Sequence, residues 1–333
     1  MSCPGGSRGR VHVELRSSQL NDSALQTQEL GCGITCIDTG YMRPGMAACY
    51  LLQHDGCAAF IETGVNRNVP GLLELLDIKG IAREQVTHIM PTHVHLDHAG
   101  GAGALMQALP EAKLVIHPRG ARHMIDPSKL IAGVSAVYGE ENFARLYGEL
   151  VPIDEDRIIL ADDGFTLDFN GRILEFMDTP GHARHHYCVF DPVSNGVFTG
   201  DTMGLSYPEL SGPNLFALAT TTPVQFDPGA LHASINRIMD HRPERLFLTH
   251  FGMVTDVKSL ADQLHRDIDE YVTIVDECED PQIVPDIEVR LGQYLGGRLS
   301  ALNPDIDQAM AAAVLASDIE LNAQGLSFWK MHG

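Results

Sequence analysis

Ten consecutive residues, Thr92-His93-Val94-His95-Leu96-Asp97-His98-Ala99-Gly100-Gly101, restrict what this chain can become more than any other stretch. They follow an apolar run, Val86-Thr87-His88-Ile89-Met90, expected to be a short buried strand. They lead into residues 100–108, rich in small side chains and expected to open a helix. Three imidazoles and a carboxylate therefore share one strand-to-helix turn. So many lone pairs behind a buried strand need something to bind, and His with Asp suits Zn, Fe or Mn. The spacing is not the i, i+4 histidine pair of a helical zinc protease. It belongs to a loop that turns alternate side chains toward two neighbouring metal positions.

The rest of the composition narrows the class. With 333 residues and 44% hydrophobic content, the chain can build a large core. A formal net charge of −21 and the lack of any basic run argue against a nucleic-acid partner. The seven cysteines, Cys3, Cys32, Cys36, Cys49, Cys57, Cys188 and Cys278, are scattered and odd in number, which is no disulfide framework. Residues 1–10 carry no apolar signal region, and no apolar run approaches a membrane span of about 18 residues. A reducing, cytoplasmic setting without a membrane partner is expected.

Residues 1–28 are mostly polar and read as a flexible N-terminal arm, with an alternating stretch at 11–15 that suits an arm or edge strand. Short β-rich runs follow at 34–37, 48–52 and 58–61, the last two joined by His54-Asp55-Gly56 as a hairpin signal. A helix is expected at 70–78, a strand at 113–117 and a helical insertion over 118–150. Strands resume at 157–160, 165–167, 173–176, 187–190 and 197–199, then a helix at Pro228–Asp240 and a strand at 246–248. From about residue 257 the alternation gives way to amphipathic helical patterns at 258–278, 287–295 and 306–323. The division is therefore an α/β domain at 29–255 and a small C-terminal helical domain at 256–333.

Three later strand ends each bring one more candidate ligand: Thr179-Pro180-Gly181-His182, Thr199-Gly200-Asp201 and Leu248-Thr249-His250. With these in place, His93, His95, Asp97, His98, His182, Asp201 and His250 resemble, in order and context, the metal ligands of the metallo-β-lactamase-fold hydrolase superfamily. The likeness covers residues 30–255. It implies a four-layer αββα sandwich, with the site at one edge of two facing mixed sheets. It also implies two divalent metal ions, Zn first and Fe or Mn as alternatives. The first would be held by His93, His95 and His182, the second by Asp97, His98 and His250, with Asp201 bridging both. Such a pair lowers the pKa of a shared water and polarises the substrate oxygen. Asp97, beside that water, is the candidate catalytic proton shuttle.

Among branches, the chain is similar to glyoxalase II-like and lactonase-like hydrolases, which favour thioesters, esters and lactones. It lacks the Asn-Pro-Phe-type ending and the glutathione-gripping basic residues of glyoxalase II, closing instead on Leu326-Ser327-Phe328-Trp329-Lys330-Met331-His332-Gly333. The resemblance thus implies the reaction type rather than a glutathione thioester. Tyr207, on the loop after Asp201, is a candidate substrate contact. Glu62 stands where the superfamily commonly has Asp, either as a support for a ligating histidine or as a strand cap. His185 and His186 read first as a surface or strand-start pair, and second as extra ligands or supports. Residues 118–150 and the C-terminal helices are candidates for a roof over the site. Trp329 reads as an anchor for the tail.

The leading expectation is a dinuclear metal-dependent hydrolase acting on a small-molecule ester, thioester or lactone. A phosphodiesterase of the same fold, a single-iron sulfur dioxygenase and a non-catalytic regulatory protein are the alternatives. A homodimer is compatible with the sequence.

Overall fold

The computed structural model describes residues 25–221, 224–280 and 282–332, so the stretch at 11–15 lies outside the described residues. Two sheets face each other. In the first, β1 (Gln26–Gly31), β2 (Ile34–Asp38), β3 (Ala48–His54) and β4 (Cys57–Ile61) form an antiparallel meander. Next to β4, β5 (Val86–Met90), β6 (Lys113–Ile116) and β7 (Ile158–Leu160) continue in parallel. Residues 26–28, expected in the arm, instead open β1. Its side chains are mostly exposed, so it carries no apolar alternation to reveal it. The β3–β4 hairpin turns on Asp55 and Gly56, both at positive φ (41° and 81°), the conformation that Asp-Gly supplies most readily.

The second sheet contains β8 (Thr166–Phe169), β9 (Arg172–Asp178), β10 (Tyr187–Asp191), β11 (Gly196–Leu205), β12 (Arg245–His250) and β13 (Gly252–Val254). Its order is β13-β12-β11-β10-β9-β8, antiparallel except for β11 beside β12. The pleat sorts each strand between two cores. On β3, Ala48, Tyr50 and Leu52 meet Phe176, Phe198 and Phe247 between the sheets, whereas Cys49 and Leu51 face outward to the helices. Strands buried on both faces read as continuous apolar runs, which is why they were legible.

Helices cover both outer faces and complete the four-layer αββα sandwich. Over the first sheet lie α1 (Val69–Lys79), α2 (Leu96–Ala99), α3 (Ala102–Ala108) and α4 (Pro118–Ile125). Proline in the first turn and Gly80 at φ 67° bound α1. The insertion continues as α5 (Ser128–Tyr138) and α6 (Glu140–Tyr147). Its Phe143 and Tyr147 pack with Tyr41 and Val65 against Leu96 of the ligand turn. Over the second sheet lie α7 (Pro228–Asp240), α8 (Val257–Asp276), α9 (Val284–Leu302) and α10 (Gln308–His332). Leu260, Leu264, Leu291 and Leu326 of the last three share one core with Val197, Leu246 and Leu248 of the sheet. Trp329 packs edge-on against Phe226 at 5.9 Å, anchoring the tail. Among the described residues, no helix is long and apolar enough to cross a membrane.

Candidate metal centre

The ligand turn is built by close backbone packing. His95 is extended (φ −62°, ψ 149°) and starts α2, which carries Asp97 and His98. A Cβ on Gly100 would stand 2.3 Å from Leu96 O, so the following residue has to be small. His182 follows Gly181, whose φ of 128° and approach to Leu231 of α7 leave no room for a side chain. Asp201 follows Gly200, where β11 slips register against β12 at φ 48°. A Cβ there would sit 2.4 Å from both Thr92 Oγ1 and His186 Nε2. Gly200→Ala is therefore expected to cost about 1–3 kcal/mol, read as a lowered Tm. His250 ends β12.

These strand ends bring all seven candidate ligands together in two groups: His93, His95, His182 and Asp201, and Asp97, His98 and His250. Asp201 lies between them. Its Oδ2 is 3.4 Å from His182 Nε2, and its Oδ1 is 3.3 Å from His98 Nε2 and 3.7 Å from His250 Nε2. Asp97 Oδ2 lies 3.3 Å from His250 Nε2.

The atoms fit metal ions better than they fit one another. His93 Nε2, His98 Nε2 and Asp201 Oδ1 are buried without hydrogen-bond partners among the described residues. His182 Nε2 and His95 Nδ1 converge at 3.1 Å. Inward-turned nitrogens and a carboxylate at one point are the donor set for a divalent ion.

Protonation follows charge. Burial pushes His93 and His182 below the ordinary imidazole value, and His95 down to about 3. Burial acts the same way on His98 and His250, but the carboxylate of Asp201, helped by Asp97, outweighs it and holds both above that value. Burial would raise Asp97 and Asp201, yet His98 and His250 hold both carboxyls well below the usual range. The imidazoles of the first group are thus held toward the neutral form that ligates a divalent ion, and those of the second lie against carboxylates whose proton-attracting charge such an ion would compete with.

Behind the ligands stands a layer that fixes their direction. Glu62, 1% exposed and at φ 63°, accepts from His98 Nδ1 at 3.0 Å, Thr249 Oγ1 at 3.1 Å and both Thr92 N and Oγ1 at 3.1 and 2.5 Å. A non-glycine residue in that backbone region is held there by its surroundings. Glu62 orients His98 and ties three strand ends together. Glu62→Gln is expected to weaken metal affinity about 10–100-fold, measured by chelator competition. Met46 O aligns His250 through Nδ1 at 2.6 Å.

His186, expected first as a surface residue, is fully buried. Its Nε2 accepts from Asp201 N at 3.1 Å, and its Nδ1 lies 2.9 Å from Thr179 Oγ1. It positions the backbone of Asp201 and stands outside both ligand groups. His185 is also buried, its ring 5.9 Å from that of His95. Two polar residues opening a strand look like surface, and their closeness to His182 is the one sequence feature that points the other way. Tyr207 is 1% exposed, and its hydroxyl donates to Asp318 Oδ1 at 3.1 Å rather than opening to solvent.

A family model described as the metallo-beta-lactamase superfamily matches residues 42–250. A metallo-beta-lactamase fold-containing protein of Sulfurisphaera tokodaii is 25% identical, over 85% of this chain and 91% of that protein. The crystal structure of an archaeal metallo-beta-lactamase superfamily protein from Sulfolobus tokodaii superposes with a TM-score of 0.62 at 24% identity, over 89% of this chain and 98% of that one. A hydroxyacylglutathione hydrolase of Aeromonas hydrophila is 25% identical, over 57% of this chain and 54% of its own length.

Proposed function

Because the chain belongs to the metallo-β-lactamase superfamily, we propose that it is a metal-dependent hydrolase of a small ester, thioester or lactone, working with two divalent ions. The observation that carries this reading is the place of Asp201, whose two oxygens address different histidine groups. His93, His95 and His182 would hold one ion, Asp97, His98 and His250 the other, and Asp201 both. Bound there, the ions supply an acidified water as nucleophile and Lewis-acid stabilisation of the oxygen that gains charge.

The side chains do the rest. Glu62 and Met46 O keep His98 and His250 aimed inward, which fixes the site before substrate arrives. Asp97 is the more accessible carboxylate, with 23% of its side chain exposed against 7% for Asp201. It is therefore the group placed to carry a proton toward the leaving group. Asp97→Asn with both ions retained and normal turnover would remove it from that role. The likeness to a hydroxyacylglutathione hydrolase favours an acyl bond over a phosphodiester. Zn is the preferred ion, and Fe or Mn suits the same donors.

The test is a panel of chromogenic lactones, thioesters, esters and phosphodiesters, run on zinc-loaded protein and repeated after chelation and reloading. Acyl hydrolysis that chelation abolishes and metal restores is expected. Turnover confined to phosphodiesters, or unaffected by chelation, contradicts the reading.

A further inference from the structure

We propose that Arg119 of α4 and Arg184, two residues beyond the candidate ligand His182, bind an oxyanion group, carboxylate or phosphate, that the substrate carries beside its scissile acyl bond; this rests on the hydrolase reading above and narrows it to acidic acyl substrates.

The open side of the centre decides where a substrate can lie. Of the seven candidate ligands, His95 and Asp97 keep part of their surface exposed, and the other five are buried. The His95 side is bordered by the segment 182–186 and by α4. The His185 ring stands 5.9 Å from that of His95 and 6.3 Å from that of His123, which lies half-buried in the last turn of α4. Arg119 Nη1 donates to Arg184 O at 3.3 Å, so the two exposed arginines meet at one point of this rim. The Arg184 amide donates to Gln225 Oε1 at 2.6 Å, which pins the loop there. Two residues of chain span at most about 7 Å, so the Arg184 backbone stays within that distance of His182.

The charge of this rim runs against that of the chain. With 44 acidic side chains for 23 Lys and Arg, an arginine has many carboxylates to choose from. Arginine forms an ion pair at five other places in the fold, yet among the described residues Arg119, Arg122 and Arg184 form none. The nearby carboxylate of Asp178 lies against His117 at 3.3 Å. Burial, Arg122 and Lys129 all push His123 below its ordinary value, as a cationic neighbourhood does. The patch is assembled by folding, because Arg119 and Arg184 stand 65 residues apart. Solvent-facing guanidinium groups without counter-ions, beside the accessible ligand of the centre, suit an oxyanion arriving from solution, which the arginine fork binds through charge-assisted hydrogen bonds.

Zinc-loaded protein is assayed with the nitrophenyl monoester of adipic acid, its phosphonate counterpart and its methyl-capped diester. Wild type is expected to prefer an anionic member over the capped one by about tenfold or more in kcat/KM, and this preference is expected to shrink at high salt. Arg119→Ala combined with Arg184→Ala is expected to lower the ratio about tenfold. Arg83→Ala removes an exposed charge at the opposite end of β5 from the ligand turn and is expected to leave the ratio unchanged. Calorimetry with adipate and its monomethyl ester reads the same discrimination without turnover. The proposal is overturned if wild type shows no anionic preference in either measurement, or if the double variant keeps it. An equal loss in Arg83→Ala also overturns it, because that marks net charge rather than a site. If no ester is hydrolysed while adipate binding still discriminates and depends on the two arginines, the hydrolase reading falls and the arginine assignment stands.

Discussion

Replacing Asp201 with alanine is expected to leave at most one ion bound and to lower kcat/KM by about a thousandfold or more. Among the candidate ligands, Asp201 is the one whose two oxygens face different groups, at 3.3 Å from His98 Nε2 and 3.4 Å from His182 Nε2. Its loss removes an anion shared by both positions. The nitrogens of His98 and His250 that face it, at 3.3 and 3.7 Å, also lose the carboxylate they lie against. Asp269→Ala is the control, since that side chain is 78% exposed on α8. Elemental analysis and substrate turnover on the same sample check the pair. Two ions and normal turnover in Asp201→Ala would mean that this carboxylate does not bridge.

Arg298→Ala is expected to destabilise the protein by about 3–5 kcal/mol, with Tm lower by roughly 10 °C. Arg298 forms an ion pair with fully buried Asp267 and donates to Ala217 O and Gln263 Oε1, each at 2.7 Å. Asp267 also accepts from Tyr294 hydroxyl at 2.8 Å and Ala219 N at 3.2 Å. Removing the guanidinium leaves a carboxylate in the core facing two weaker donors. Burial already holds the Asp267 carboxyl above its ordinary value despite the arginine. Folded protein therefore binds more protons there than unfolded protein, and this group's contribution to stability falls as pH rises above the unfolded value near 3.9. Without Arg298 the folded value moves further up and the window widens. The deficit of the variant against wild type is thus expected to be larger at pH 8 than at pH 5. Denaturant unfolding at the two pH values measures it. An equal or reversed difference would show that Asp267 is neutralised by other means.

The segment 215–219 lies directly downstream of the Asp201 strand and Tyr207, so this pair fastens α8 and α9 to the flank of the candidate centre. That connection was not legible in the sequence. Asp267 and Arg298 are separated by 31 residues within helices whose amphipathic pattern gives only a buried face, not its partner.

What could be read were features with short-range causes. The turn at 92–101, the doubly buried strands and the helix at Pro228–Asp240 each carry their own period or spacing. The candidate ligands were legible because each follows a buried strand, and the sheet then gathers them at one edge. β1 and the three-residue β13 escaped for opposite reasons, the first too polar and the second too short to show alternation. The burial of His186 is decided by Thr179 and Asp201, contacts that exist only once the strands of the second sheet pair. Glu62 reads as a candidate support from its place at a strand end, but its bond to Thr249, 187 residues away, depends on the two sheets meeting.

The claim of a two-ion centre is tested most directly by metal stoichiometry. Protein purified without chelator is quantified by elemental analysis, reloaded with zinc and measured again after gel filtration. Two ions per chain are expected, falling to one or none in Asp201→Ala. One ion or fewer per reloaded wild-type chain, with hydrolysis already at its maximum, would contradict it.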